Sequence, residues 1–167
     1  MTPPIDHRLT AIRLLVLDVD GTLTDGGIYI DSGGQEFKRF DAHDGHGIKQ
    51  LLAAGIEVAL LSGRNCTPVE LRAKELGIEI VIQGHFDKTA EFERLVASKN
   101  LTKEEVAAMG DDLSDLAMTS RSGCSFAPAN AIEAVKMAVD YVTERSGGYG
   151  AVREVCDLIL AARAARN

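Results

Sequence analysis

Short apolar runs that stop abruptly at polar or glycine residues recur along this chain, each followed by a stretch of helical spacing, and that alternation leaves few folds open. Ile12 to Leu17 ends at Asp18-Val19-Asp20-Gly21-Thr22. Val58 to Leu61 precedes the helical pattern Val69 to Leu76, which Gly77 closes, and Ile78 to Ile82 precedes another over Lys88 to Ser98. Thr102-Lys103-Glu104-Glu105 reads as a capping box before the run Val106 to Met109. Cys124 to Ala127 and Tyr141 to Thr143 bracket a helical stretch at Ala131 to Met137, and a last helix begins near Ala151 with Val152, Val155, Leu158 and Ile159 on one face. Continuous apolar strands alternating with helices predict an α/β fold: a three-layer, doubly wound, mostly parallel sheet covered on both faces. The first strand is followed by an interruption. Aromatic and β-branched residues at Gly27 to Ile30 and Glu36 to Phe40 flank Asp31-Ser32-Gly33-Gly34, which predicts a small β-hairpin insertion at about residues 26–40. A helix is expected after Asp44, with Ile48, Leu51 and Leu52 at helical spacing and Gly55 ending it.

A chain of 167 residues has room for one such domain, 1–167, with the tail and final helix at about 146–164 and no separate cap domain. Its net charge of −7 argues against nucleic-acid or anionic-membrane partners, and no apolar run is long enough to span a bilayer. Met1 to Arg13 lacks the apolar core of a secretion leader, and Cys66, Cys124 and Cys156 are odd in number and widely spaced. Both features predict a cytoplasmic protein with unpaired thiols.

Parallel sheets bind ligands at the carboxyl ends of their strands, and here those ends carry the polar residues. Asp18 and Asp20 follow the first strand and Ser62-Gly63-Arg64 the second; Lys88 opens the helix after the third; Gly110-Asp111-Asp112 and Asp115 follow the fourth. Together they suit phosphoryl transfer. A carboxylate can attack phosphorus and form an aspartyl-phosphate, provided a cation offsets the repulsion. Mg²⁺ prefers oxygen ligands, so Asp18, Asp111 and the Asp20 carbonyl form a candidate metal site. The Asp20 side chain, two residues past the nucleophile Asp18, lies on the same face as a general acid for the leaving oxygen. The Ser62 hydroxyl, neighbouring amides such as that of Gly63, and the Lys88 ammonium are placed to hold the phosphate oxygens.

These motifs, in this order, resemble the four motifs of the haloacid dehalogenase superfamily of phosphotransferases. The resemblance implies the same roles for Asp18, Asp20, Ser62, Lys88 and Asp111, with Asp112 and Asp115 either supporting the metal through water or orienting Lys88. A finer likeness covers nearly the whole chain. The hairpin, Phe40-Asp41-Ala42-His43-Asp44-Gly45-His46-Gly47-Ile48, Gln83-Gly84 and the stretch from Ser146-Gly147-Gly148-Tyr149-Gly150 to Asp157 are similar to the capless phosphatases of 3-deoxy-D-manno-octulosonate 8-phosphate, a sugar-acid phosphate of lipopolysaccharide synthesis. That likeness implies a homotetramer in which hairpins associate and the glycine-rich tail, Gly147 to Gly150, reaches a neighbour's active site. Gly63, Arg64, His43, Asp44 and Tyr149 are the candidate substrate contacts, with Arg64, beside the phosphate-binding Ser62, the best remaining cation.

His43 and Tyr149 stand where the family commonly carries basic residues, so a nine-carbon sialic-type 9-phosphate remains an alternative substrate. A phospho-acceptor signalling domain has little use for Asp20, and a non-catalytic oligomerisation domain has little reason to keep Asp18, Asp20, Lys88 and Asp111 intact. His43 and His46 are three apart but sit beside an oxygen-rich site, so substrate contact or helix-end packing is the expectation over metal binding. Lys38, Arg39, His7 and His85 are expected to face solvent.

Overall fold

A computed structural model of the chain describes residues 7–165. The expectation of no leader falls partly on residues 1–6, outside the described ones. Six strands make one sheet in the order β5-β4-β1-β6-β7-β8, every pairing parallel: β1 Leu14–Leu17, β4 Glu57–Leu61, β5 Ile80–Ile82, β6 Val106–Met109, β7 Cys124–Ala127 and β8 Tyr141–Val142. The hairpin strands β2 Tyr29–Ile30 and β3 Glu36–Phe37 pair antiparallel outside it. No cap domain intervenes between any strand and the next helix.

Side chains of β1 alternate between two cores, as the pleat requires. Leu15 and Leu17 pack with α1 (Ala42–Ala53), α2 (Thr67–Leu76) and α6 (Ala151–Ala164), whereas Leu14 and Val16 pack with α3 (Lys88–Ser98) and Met118 of α4 (Leu116–Thr119). Sequence order runs from β1 outward to β4 and β5, then crosses back to β6 on the other side of β1. The topological switch therefore falls between β1 and β6, where Asp18 and Asp111 emerge.

Most predicted elements form, and the differences have local causes. Helix α1 starts before Asp44 because Asp41 caps it, accepting from the amides of His43 (2.7 Å) and Asp44 (3.4 Å). Strand β5 starts at Ile80 because the Ile78 amide still closes the end of α2 on Ala73 O at 2.9 Å. The helix expected over Ala131 to Met137 shrinks to α5, Glu133–Lys136, since the Ile132 amide is drawn to Asp111 O at 3.0 Å. Among the described residues no helix is long and apolar enough to cross a membrane, and all three cysteines are buried.

One expectation is overturned here. Asp44 is fully buried, and its Oδ1 accepts from the Arg153 amide at 2.8 Å, in the first turn of α6. Gly150, the residue before that helix, has no side chain to cap it, so Asp44 serves the helix end rather than a substrate surface. The glycine-rich tail also packs closely on its own chain. A Cβ on Gly147 would overlap the Gly21 carbonyl, and one on Gly148 would overlap the Asp25 amide. Truncation after Arg145 would remove α6 and its buried Val152, Val155, Cys156 and Ile159 together with the glycine-rich tail.

Ile159→Ala is expected to lower stability by about 2–5 kcal/mol in urea unfolding, because its site is fully enclosed. Burial pushes the Asp44 carboxyl up to about 6, above the ordinary value of about 4. The folded chain thus holds a proton that the unfolded chain releases, and stability from this group falls as pH rises from about 4 to about 6. Asp44→Asn lacks that fall, so its stability relative to the parent chain should improve as pH rises through this window in parallel urea titrations.

Candidate active site

The carboxyl edge of the sheet is assembled from backbone outward. The Asp18 amide donates to Met109 O at 3.0 Å, extending the β1–β6 ladder by one residue and aiming the next carboxylate over the edge. The chain then makes a wide turn, Val19–Leu23, in which Gly21 adopts φ +89°. Glycine is needed there twice over: the angle is left-handed, and a Cβ would overlap the Asp111 carboxylate. Thr24 Oγ1 secures the turn, donating to Val19 O at 3.3 Å and accepting from the Gly21 amide at 3.3 Å.

Lys88 is the centre of the site. Its ammonium, on a side chain only 2% exposed, donates to Asp18 Oδ1 at 2.5 Å and to Asp115 Oδ1 at 2.6 Å. Burial works against that charge, but the two carboxylates outweigh it and hold the Lys88 pKa above the usual lysine range. Asp115 thus contacts Lys88 directly, the geometry that one of its two expected roles requires. Its other oxygen accepts the amides of Asp111 (2.9 Å) and Asp112 (3.1 Å), which holds the Asp111 loop. Asp112 instead caps the Leu113 amide at 2.7 Å and faces solvent.

Asp18, Asp111 and Asp115 offer oxygens all within 4.8 Å of one another. Three carboxylates against the single Lys88 ammonium leave negative charge uncompensated in a buried place. Burial and the neighbouring Asp115 accordingly push Asp18 well up and Asp111 up to about 6. An all-oxygen donor set with excess negative charge fits a divalent cation such as Mg²⁺. Asp111 Oδ1 also accepts from Thr22 Oγ1 at 3.4 Å, and its Oδ2 lies beside Gly21.

Ser62 is buried at the end of β4, where its amide donates to Ile82 O at 2.9 Å and its Oγ accepts from the Arg64 amide at 3.3 Å. Gly63 follows, with the exposed Phe86 ring lying over it. The Arg64 guanidinium donates to Glu36 Oε2 of the hairpin at 2.8 Å. His43 is largely exposed at the start of α1 beside Asp41, and exposed His46 forms no metal cluster with it among the described residues. His7 and His85 face solvent as expected.

Lys38 does not face solvent, which corrects the reading of the hairpin, whereas Arg39 is exposed as expected. The Lys38 side chain is 1% exposed and its ammonium donates to Asp20 Oδ1 and, at 3.0 Å, to Glu36 Oε1. Arg39 donates to Gly148 O and lies 4.1 Å over the centroid of the Tyr149 ring. Asn130 also escaped notice: its Nδ2 donates to Gly21 O at 3.0 Å and its Oδ1 accepts from the Gly147 amide at 2.6 Å. One available signal was the strand period, which puts Glu36 and Lys38 on a common face of the hairpin. Nothing comparable marked Asn130.

Comparison with known proteins agrees with this geometry. Residues 78–154 match the model of the haloacid dehalogenase-like hydrolases. The 3-deoxy-D-manno-octulosonate 8-phosphate phosphatase of Salmonella typhimurium is 44% identical over 163 residues, 98% of this chain and 87% of that protein. The crystal structure of the phosphatase of the same name from Yersinia pestis superposes with a TM-score of 0.94 at 43% identity, over 96% of this chain and 86% of that one. A Moraxella catarrhalis phosphatase of the same name, solved in complex with magnesium ion, phosphate ion and KDO, gives a TM-score of 0.94 at 40% identity, over 98% and 94%. Likeness on that scale, on a sheet whose edge carries Asp18, Lys88, Asp111 and Asp115 in one cluster, places this chain among the haloacid dehalogenase-like hydrolases, in the family of 3-deoxy-D-manno-octulosonate 8-phosphate phosphatases.

Proposed function

We propose that this chain hydrolyses 3-deoxy-D-manno-octulosonate 8-phosphate to the free sugar acid and phosphate, as a step in making lipopolysaccharide. One observation carries the mechanism: Asp18 is buried at the strand edge with one oxygen on Lys88 and Asp111 beside it. In that setting its carboxylate has cations, not solvent, to offset the approach of a phosphate.

The steps follow from the residues. Asp18 attacks phosphorus and the bond from phosphorus to the sugar oxygen breaks. Asp20 gives its proton to the departing alkoxide. Water then attacks phosphorus of the aspartyl-phosphate while Asp20 takes the water's proton, releasing phosphate and restoring Asp18. The Ser62 hydroxyl, the Gly63 amide and the Lys88 ammonium hold the non-bridging oxygens as their charge shifts. A Mg²⁺ ion bound by Asp18, Asp111 and the Asp20 carbonyl supplies further neutralisation of the phosphate. Arg64, His43 and Tyr149 line the approach for the sugar acid.

The whole chain acts as one domain in this reading, cytoplasmic and homotetrameric. Exposed Ile28, Ile30 and Phe37 on the hairpin supply an apolar surface suited to association between copies.

Phosphate release from a panel of sugar phosphates tests the reading. Selective turnover of the eight-carbon acid is expected, with kcat lowered about a thousandfold or more in Asp18→Asn. Preference for a nine-carbon acid phosphate would move the substrate assignment to that class. Metal dependence has its own readout. Asp111 holds a proton below about 6, and that proton competes with a cation. Mg²⁺ should therefore raise Tm more at pH about 7.5 than at pH about 5, and Asp111→Asn should lose most of the increment at the higher pH. An equal increment in Asp111→Asn would remove Asp111 from the metal site.

A further inference from the structure

We propose that Lys38 is a positioning residue that holds the Asp20 carboxylate in the orientation needed for proton transfer, with Glu36 holding Lys38 in turn. The proposal rests on the phosphatase reading above and extends it to a part of the chain outside the catalytic motifs.

Asp20 sits at the site mouth with its side chain 26% exposed, where a short carboxylate can rotate freely. Proton transfer tolerates little of that freedom, since the acid must come within hydrogen-bond reach of the leaving oxygen. Lys38 removes it by donating to Oδ1, which leaves Oδ2 to carry the proton. The ammonium is itself immobilised. Its side chain is 1% exposed, and Glu36 Oε1 accepts from it at 3.0 Å, so two carboxylates compensate one buried cation. Glu36 in turn reaches Arg64 through Oε2 at 2.8 Å. Alternating charges Asp20, Lys38, Glu36 and Arg64 thus run from the loop after β1 to the loop after β4, by way of the hairpin.

The hairpin that carries this chain is built to stay still. Asp31 Oδ1 accepts the amides of Gly33 (2.8 Å) and Gln35 (2.9 Å) at its turn, and the rings of Tyr29 and Phe37 stack at 5.2 Å. Tyr29 Oη also donates to Asp25 Oδ2 at 2.5 Å, tying the hairpin back to the loop that bears Asp20. A fixed hairpin makes Lys38 a fixed point against which Asp20 is set.

The test compares kcat/KM, which reports formation of the aspartyl-phosphate alone, on an alkyl phosphate, whose leaving group needs a proton, with kcat/KM on p-nitrophenyl phosphate, whose leaving group does not. Lys38→Met should lower the alkyl-to-aryl ratio about tenfold or more, and Glu36→Gln should lower it less. In an Asp20→Asn background Lys38→Met should change p-nitrophenyl phosphate turnover by less than about twofold. An equal loss on both esters, or a full further loss in the Asp20→Asn background, would overturn the proposal in favour of a general packing role. An unchanged ratio in both hairpin variants would overturn it as well. A parent chain inert toward every ester would instead sink the phosphatase reading, and this proposal with it.

Discussion

Everything at the carboxyl edge of the sheet depends on how a surplus of buried negative charge is held together. Asp18, Asp111 and Asp115 converge within 4.8 Å, and Lys88 is the one ammonium placed among them. Carboxylates this close repel strongly in a medium poorer than water, and burial, together with that repulsion, raises the pKa of Asp18 and Asp111. A divalent cation relieves it, and so does an incoming phosphate that brings such a cation along. The site is thus preorganised for what it binds, at a cost in stability to the unliganded fold.

The fold bears that cost by committing backbone to the loops. Asp115 gives one oxygen to Lys88 and the other to two amides of the Asp111 loop. Asn130 clips Gly21 to Gly147, so the loop after β1 is pressed between the sheet edge and the segment leading into α6. Asp44 then anchors the start of α6 from α1. These contacts form one mechanical path from the core helices to the nucleophile. The hairpin adds a second, through Lys38 and Glu36, that reaches Asp20 and Arg64 from the open side.

Much of this was legible in the residues themselves. The bounds of α3, β6 and β7 agree with the sequence reading because capping residues and apolar runs mark them locally. The cluster of Asp18, Lys88 and Asp111 was legible because strand-to-helix turns of a parallel sheet share one edge, whatever the packing beyond it. Lys38 and Asp44 were misjudged for a common reason. Whether a charged side chain faces solvent or a partner far along the chain depends on tertiary packing. Lys38 lies 18 positions from Asp20, and Asp44 lies 109 from Arg153. The glycines of the tail signalled close approach, and within the chain the surface they approach is Gly21 to Asp25.

The central claim is that Asp18 itself carries the phosphate during turnover, and trapping it is the most direct measurement. Asp20→Asn, supplied with Mg²⁺ and radiolabelled p-nitrophenyl phosphate, forms the intermediate without needing an acid and breaks it down slowly for want of a base. Acid quenching and peptide mapping should then place the label on Asp18. Label on another residue, or continued phosphate release with no labelled protein at any time, would contradict it.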